Sequence, residues 1–274
     1  MTHLDNLIEL ALSEDLNEKG DITSMALYDE AQNGSFEINV RSNGVISGIK
    51  VAQQVFKKVD ENIEVAWRKV DGEFCGAGET IAFVEGSLTS ILKAERTVLN
   101  FLCHLSGIAT TTRNYVHVLE EINSSTKIRD TRKTTPGFRI IEKEAVVHGG
   151  GVNHRMGLYD GFLVKDNHVD GVNIGEVVEK CRDFDSEVIL EVEVDTVEQL
   201  VIVAGTKPDL ILLDNFTPEM VHEAQALELG IPFEISGGVN LTNVTEYGAT
   251  NVKYIAIGAL THSASILDIG FDLI

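Results

Sequence analysis

The sequence predicts an α/β protein in which a small antiparallel sheet precedes a larger parallel one. Two patterns carry this prediction. The first hundred residues hold short alternating segments separated by glycines, and the remainder alternates apolar strand patterns with helical ones. A length of 274 residues suits either one α/β barrel or a small domain joined to a barrel.

The amino-terminal part alternates with a period of two at residues 36–40 and 80–84, between glycine-containing turns. This pattern is typical of a small, mostly antiparallel sheet. Ser87 is then placed to cap a helix whose apolar residues recur at helical spacing from Leu88 to Leu105. Arg96 falls on or beside that apolar stripe, and we expect the helix to mark a domain boundary.

Apolar strand patterns and helical stretches alternate in the rest of the chain. The strand patterns lie at residues 161–164, 188–194, 210–213, 233–235 and 254–257. Thr217 followed by Pro218 predicts a helix start, and Thr196 and Asn240 are placed to cap the helices on either side. Such alternation implies right-handed crossovers and a parallel sheet, open or closed into a barrel, with the chemistry at the carboxyl ends of the strands.

The formal charge of -21 argues against DNA, RNA or an anionic membrane as a partner, since these require a cationic surface. No apolar run approaches the roughly 18 residues needed to span a bilayer, and the amino terminus lacks the cationic start of a signal peptide. We therefore expect a cytoplasmic protein. Cys75, Cys103 and Cys181 are widely spaced, which predicts reduced core cysteines.

The segment from Lys127 to His168 has the opposite charge balance, with eight Lys or Arg against five Asp or Glu. A solvated basic face is the usual explanation of such a run. The alternative is a site for a small anion. Arg132 and Arg155 favour that alternative, because guanidinium groups bind planar carboxylates through two parallel hydrogen bonds.

Several further residues have two possible roles. Lys165 ends a strand pattern, where it would either contact an anion or form a Schiff base. The glycines at 149–151 either let the backbone approach a ligand or form a flexible loop. His154 and His168 are ligand contacts or ordinary structural histidines.

Acidic residues and glycine turns follow the later strands. Glu191 and Glu193 share one strand face, and Glu193 with Asp214 would hold a Mg²⁺ ion or accept hydrogen bonds from sugar hydroxyls. The alternative for Asp214 is a loop or cap aspartate. The turns at 236–238 and 258–259 are candidates for phosphate binding through backbone N–H groups, although each alone is weak support.

Several strings resemble the quinolinate phosphoribosyltransferase family. They include DTRKTTPG at residues 130–137, GGGVNHR at 149–155, GLYDG at 157–161 and KDNH at 165–168. The likeness continues through EDL and GDITS near the amino terminus, SGIAT, LLDN, and GALTHS near the carboxyl terminus. It thus covers nearly the whole chain in order, and the set is highly specific.

The resemblance implies an amino-terminal open-faced α/β sandwich, residues 1–104, joined by the tail at 264–274. It implies a seven-stranded α/β barrel at residues 105–263. Family dimers place the amino-terminal domain of one subunit over the barrel mouth of the other, so Arg96 would reach the partner's site. Assembly beyond the dimer is left open.

The reaction implied is quinolinate plus phosphoribosyl pyrophosphate giving nicotinate mononucleotide, pyrophosphate and CO₂, a step of de novo NAD biosynthesis. It needs Mg²⁺ and no organic cofactor. The resemblance assigns catalysis to Lys133, Lys165, Glu193 and Asp214. It assigns substrate binding to the same four residues and to Arg96, Thr131, Arg132, His154, Arg155, Ser236, Gly237, Gly238, Ile257, Gly258, Ala259 and His262.

Three alternatives remain at this point. A related phosphoribosyltransferase, acting on nicotinate or associated with molybdenum transport, shares the architecture. A barrel aldolase would use Lys165 as a Schiff-base nucleophile but gives no reason for the pair Arg132 and Arg155. A non-catalytic phosphometabolite-binding barrel gives no reason for carboxylates beside the phosphate turns.

Overall fold

The computed structural model describes residues 2–29, 31–169 and 171–274. The chain divides into two compact units. The first contains Met1–Arg113, Thr135–Gly150 and Ser263–Ile274, and the second contains Asn114–Thr134 and Gly151–His262.

Helices and strands alternate along most of the chain. The helices are α1 (His3–Leu16), α2 (Ile22–Leu27), α3 (Ile49–Val59), α4 (Leu88–Glu121), α5 (Arg139–His148), α6 (Asp166–Val169), α7 (Ile174–Phe184), α8 (Val197–Ala204), α9 (Pro218–Ala226), α10 (Val244–Ala249) and α11 (Ala259–His262). The strands are β1 (Asn33–Val40), β2 (Gly44–Val45), β3 (Glu64–Trp67), β4 (Phe74–Cys75), β5 (Thr80–Ser87), β6 (Lys127–Arg129), β7 (Phe162–Val164), β8 (Leu190–Val194), β9 (Leu210–Asp214), β10 (Phe233–Ser236), β11 (Tyr254–Ala256) and β12 (Ile269–Leu273).

The first unit is built on an antiparallel sheet with strand order β12-β1-β5-β3, which confirms the prediction from the alternating segments. The carboxyl-terminal strand β12 pairs with β1, so the end of the chain completes the first sheet. Helix α3 buries Phe56 near Phe271 of β12, with ring centroids 6.3 Å apart. Phe271 in turn packs on Phe36 of β1 at 5.1 Å. The core of this unit is therefore apolar and aromatic.

The long helix α4 begins where Ser87 predicts, since the Ser87 hydroxyl accepts a hydrogen bond from the backbone N–H of Ser90. Its predicted stripe is buried at Ile91, Leu102 and Leu105. Arg96 is exposed on the same helix.

Residues Thr135–Gly150 belong to the first unit, although the resemblance placed everything from 105 to 263 in the barrel. Two buried contacts of α5 account for this grouping. His104 Nε2 lies 2.8 Å from Glu142 Oε1, and the Ser47 hydroxyl lies 2.8 Å from His148 Nδ1. A Cβ at Gly149 would lie 2.4 Å from the Ala109 carbonyl oxygen, so this glycine allows close helix packing.

The second unit contains a six-stranded parallel sheet with strand order β6-β11-β10-β9-β8-β7. The expected seventh strand is reduced to one residue: Val152 forms an isolated parallel bridge with Arg129 of β6. Among the described residues no ladder joins Val152 to β7. The parallel sheet thus has six regular strands, and the seventh position is represented by the single bridge at Val152.

Most predicted caps of this unit are confirmed. Thr217 caps α9, with proline in the first turn, and Thr196 caps α8 by accepting the Gln199 N–H. The prediction for Asn240 was wrong, because α10 begins after Asn243. Asn240 instead accepts the Thr242 N–H within a turn.

Two sequence expectations concern the chain as a whole. Within the described ranges, no helix is both long and apolar enough to cross a bilayer. The three cysteines are free, with Cys75 buried and the other two half-buried.

Candidate functional site

A cavity of about 300 Å³ lies at the carboxyl ends of the parallel strands in the second unit. Nine of the residues predicted for the site line it: Thr131, Arg132, Lys133, His154, Arg155, Lys165, Glu193, Asp214 and Ser236. Carboxyl ends of parallel strands meet at one edge of a sheet, which explains why residues more than a hundred positions apart converge. Leu163, Leu212, Glu234 and Ala256 complete the lining.

A larger cavity of about 570 Å³ also contacts Lys165 and Glu193. Its other lining residues are mainly apolar or acidic, and Lys165 is its one basic residue among the described part of the chain. An anionic substrate would be poorly held there, so the smaller basic cavity is the better candidate.

Two arginines carry unused hydrogen-bond donors in the smaller cavity. The Nε atoms of Arg132 and Arg155 are buried and have no hydrogen-bond partner among residues 2–29, 31–169 and 171–274. Arg155 Nη1 donates to the Gly161 carbonyl at 2.9 Å, which anchors the guanidinium. Burial, and then repulsion from Arg132, lowers the pKa of Arg155 from its ordinary value. Two like charges forced together in this way favour an anionic ligand.

Acidic residues line the opposite part of the cavity. Lys165 Nζ forms an ion pair with Glu193, whose carboxylate is largely buried. Asp214 ends β9 and accepts a hydrogen bond from Asn215 Nδ2 at 2.7 Å. Burial raises the pKa of Asp214, and the charges of Lys165 and Lys133 oppose that shift. As the strand alternation predicts, Val192 and Val194 are buried on the other face of β8.

Carboxylate oxygens at Glu193 and Asp214 are the hard donors that Mg²⁺ prefers, and the polar cavity leaves the ion room to keep water ligands. The donor set therefore fits the expected ion.

A buried ionic cluster shares His154 and Glu234 with the cavity lining and was not predicted from sequence. His154 Nε2 lies 2.9 Å from Glu191 Oε2 and 3.5 Å from Glu234 Oε1, and Glu234 also pairs with Arg129. Burial raises the pKa of Glu191 to about 7 against the attraction of Arg129. Burial, then the charge of Glu191, raises the pKa of Glu234 to about 7. A signal existed in the sequence, because Glu234 is the one charged residue of the strand Phe233–Ser236.

Of the predicted phosphate turns, only Ser236 lines the cavity. Gly237 has φ of 93°, and a Cβ there would lie 2.1 Å from Asn215 Oδ1, so glycine is required. In the second turn Ile257 is buried, and a Cβ on Gly258 would lie 3.0 Å from Lys133 Cδ. The helices that follow these turns have six and four residues, which limits any dipole contribution.

The remaining predicted residues lie elsewhere or act structurally. Gly238, Ala259 and His262 flank the cavity without lining it, and Arg96 lies on α4 of the first unit. His168 Nδ1 accepts the Lys165 backbone N–H at 3.0 Å, which is a structural role.

Comparison with known proteins agrees with this geometry. The family model for the quinolinate phosphoribosyl transferase N-terminal domain matches residues 21–106, and the model for the C-terminal domain matches residues 108–272. The chain belongs to the quinolinate phosphoribosyltransferase family. The two matched ranges contain the antiparallel amino-terminal sheet and the parallel carboxyl-terminal sheet described above.

Individual family members match over their full length. A nicotinate-nucleotide pyrophosphorylase (carboxylating) of Mycobacterium leprae is 44% identical over 275 residues, covering 97% of this chain and 95% of that protein. A protein of Bacillus subtilis named "Probable nicotinate-nucleotide pyrophosphorylase (carboxylating)" is 41% identical over 278 residues, covering 100% and 95%. The solved structure of nicotinate-nucleotide pyrophosphorylase from Francisella tularensis has a TM-score of 0.94 at 34% identity, covering 99% and 96%.

Proposed function

We propose that the basic cavity converts quinolinate and phosphoribosyl pyrophosphate into nicotinate mononucleotide, pyrophosphate and CO₂, for de novo NAD biosynthesis. The observation that carries this proposal is that the buried Nε–H groups of Arg132 and Arg155 have no hydrogen-bond partner among the described residues. Buried donors are normally satisfied, and a dicarboxylate would satisfy both. We place the reaction in the cytoplasm, since three free cysteines suit a reducing compartment.

Quinolinate binds through the cationic side of the cavity in this proposal. Arg132 and Arg155 take its carboxylates, while His154 and Lys165 contact the rest of the ring system. The Gly161 carbonyl holds one end of the Arg155 guanidinium, so its Nε edge is presented in a fixed orientation. Fixed donors lower the ordering cost of binding.

Phosphoribosyl pyrophosphate binds on the acidic side. Lys133, with Thr131 beside it, meets the pyrophosphate, and Glu193 and Asp214 accept hydrogen bonds from ribose hydroxyls or hold Mg²⁺. The turns at 236–238 and 257–259, with His262, take the 5′-phosphate. When bound, Mg²⁺ would supply positive charge that stabilises the departing pyrophosphate.

The residues of the chain act mainly by orientation and charge. When the bond between ribose C1′ and pyrophosphate breaks, Lys133 offsets the negative charge on the leaving group. The pyridine nitrogen then bonds to C1′, held in line by the arginine contacts. The alkylated ring accepts the electron pair released when the adjacent carboxylate leaves as CO₂, and a proton then bonds to that ring carbon. Arg132 and Arg155 keep the departing carboxylate in place.

We further propose a homodimer in which the partner subunit's Arg96 completes the quinolinate site. Arg96 is exposed on α4, although neighbouring positions on that helix are buried. A third cation at the mouth would strengthen the binding of a substrate that carries two carboxylates.

The decisive experiment supplies the purified protein with phosphoribosyl pyrophosphate, Mg²⁺ and either quinolinate or nicotinate. We expect nicotinate mononucleotide and one CO₂ per turnover from quinolinate, and no turnover with nicotinate. Absence of product and CO₂ at saturating quinolinate would overturn the proposal. Borohydride trapping of a substrate on Lys165 would instead establish Schiff-base chemistry, which the Lys165 ion pair with Glu193 disfavours.

A further inference from the structure

The peptide from Asn153 to Arg155 presents two proposed substrate contacts but belongs to no strand or helix. It follows the isolated bridge at Val152, where the expected seventh strand is lost. Backbone groups outside helices and strands need other hydrogen-bond partners. The side chains that supply them therefore decide where His154 and Arg155 point.

Two residues at the end of β6 hold this peptide, and a third hydrogen bond lies within it. Arg129 Nε donates to the Asn153 carbonyl at 3.2 Å, and the His154 N–H donates to Asp130 Oδ1 at 2.8 Å. The Arg155 N–H donates to His154 Nδ1 at 2.7 Å. The backbone direction at Arg155 is thus set by the orientation of the His154 ring.

The contacts also assign the proton on that ring. Because Nδ1 accepts the Arg155 N–H, Nδ1 carries no proton, and the neutral ring must carry it on Nε2. Nε2 lies 2.9 Å from Glu191 Oε2, so it donates to that carboxylate. An outer partner that fixes the tautomer and the plane of a histidine in this way is familiar from metal sites.

We infer that Glu191 is a positioning residue for quinolinate recognition: it holds His154 with its proton on Nε2 and thereby aims Arg155 at the substrate carboxylate. This inference rests on the proposed function. Glu191 does not line the cavity, so it acts through His154 and Arg155 and not by contact.

Glu234, the second buried glutamate, also helps to hold the peptide at 153–155, through Arg129. Glu234 pairs with Arg129, whose guanidinium also lies over the Tyr254 ring with Cζ 4.3 Å from the centroid. Arg129 is therefore fixed by Glu234 while it holds the Asn153 carbonyl. Glu191 and Glu234 approach His154 from two different strands, β8 and β10.

The test compares Glu191→Ala with Glu191→Gln in the full-length protein. A glutamine side chain keeps an oxygen that accepts the His154 Nε2–H, whereas alanine removes it. We expect Glu191→Ala to raise KM for quinolinate by about tenfold or more, as loss of such orienting partners does. KM for phosphoribosyl pyrophosphate should change by less than about twofold, and Glu191→Gln should restore the quinolinate KM.

Val221→Ala is the matched control, since Val221 is fully buried on α9 of the same unit and does not line the cavity. It should lower the melting temperature and leave both KM values unchanged. If Glu191→Ala leaves the quinolinate KM unchanged, raises both KM values equally, or is not restored by glutamine, the inference is wrong.

Nitrogen-15 NMR of the His154 ring in the wild-type protein gives a readout that needs no turnover and no folded alanine variant. We expect a protonated Nε2 and an unprotonated Nδ1. The opposite tautomer would overturn the inference even if quinolinate is the substrate. Conversely, if the wild-type protein does not turn over quinolinate, the proposed function is wrong, while the tautomer assigned to His154 still stands.

Discussion

The inward-facing strand residues of the two units differ in chemical character. In the first unit, inward-facing strand residues such as Ile38, Ile81 and Val84 are apolar and fully buried. In the second, strand positions just as deeply buried hold Glu191 and Glu234. Apolar burial stabilises directly, whereas a buried carboxylate destabilises unless partners compensate it.

Compensation in the second unit comes from Arg129 and His154, which are themselves needed to hold the peptide at 153–155. Replacing such a cluster with apolar residues often leaves a protein as stable as before. The apolar strand residues of the first unit therefore stabilise the fold, whereas the buried charges of the second unit organise a binding site. Four substitutions test this division.

The largest expected effect is a loss of stability in the first unit. Phe56→Ala removes a buried ring that packs near Phe271, and we expect the free energy of unfolding to fall by about 3–5 kcal/mol. Urea unfolding measures that loss. kcat/KM of the folded fraction should stay unchanged. Val70→Ala is the control, since Val70 is 67% exposed and its truncation should have little effect. A changed KM for quinolinate in Phe56→Ala would show that the interior of the first unit also affects substrate binding.

The next effect is on function in the second unit. Arg155→Ala removes a buried donor from the cavity, and we expect kcat/KM for quinolinate to fall by the equivalent of about 2–5 kcal/mol. Circular dichroism should show a folded protein. Arg155→Lys should recover only part of the loss, because an ammonium cannot make two parallel hydrogen bonds. Unchanged turnover would show that Arg155 does not bind the substrate.

The buried acids also predict an effect of pH on stability. Burial raises the pKa of Glu234 from its ordinary 4.5 to about 7, so between these values the folded protein binds more protons than the unfolded chain. Its contribution to stability is fully present below pH 4.5 and is lost as pH rises through about 7. Glu234→Gln should reduce this fall in the profile of unfolding free energy against pH, and the remainder belongs to Glu191, whose pKa burial also raises to about 7. An identical slope in both proteins would contradict the assignment.

The smallest effect is expected from Asp272 of the first unit, whose pKa is shifted in the opposite direction to that of Glu234. Hydrogen bonds from Asn39 and then Arg41 lower the pKa of Asp272, which lies on β12. Its contribution is present above pH 3.8 and is lost as pH falls through the lowered pKa. Asp272→Asn should slightly flatten the acid limb of the same profile. Because both partners are well exposed, added salt should reduce the difference further.

The sequence was sufficient to predict the elements and the place where they converge. Alternation predicts β1 and β5, and the helical stripe predicts α4, because both patterns depend on nearby residues alone. Convergence of Arg132, Lys165 and Asp214 follows from the rule that parallel strands end at one edge. Each of these predictions needs only the order of elements along the chain.

What the sequence could not predict are pairings between distant elements. The alternation that identified Glu191 as inward-facing also applies to Glu234, but nothing local shows that they meet at His154. The grouping of Thr135–Gly150 with the first unit depends likewise on His104 and Ser47, which are distant in sequence. The loss of the seventh ladder beside Val152 has no local signal either.

That missing ladder also bears on how the site moves. Elsewhere in the sheet, separating two strands means breaking several backbone hydrogen bonds at once, whereas among the described residues no ladder joins Val152 to β7. A segment with few backbone hydrogen bonds opens more readily than the regular strands around it. We therefore expect amide hydrogens at 153–155 to exchange with solvent faster than those of β8 and β9. The peptide that carries His154 and Arg155 would then be the first part of the site to open.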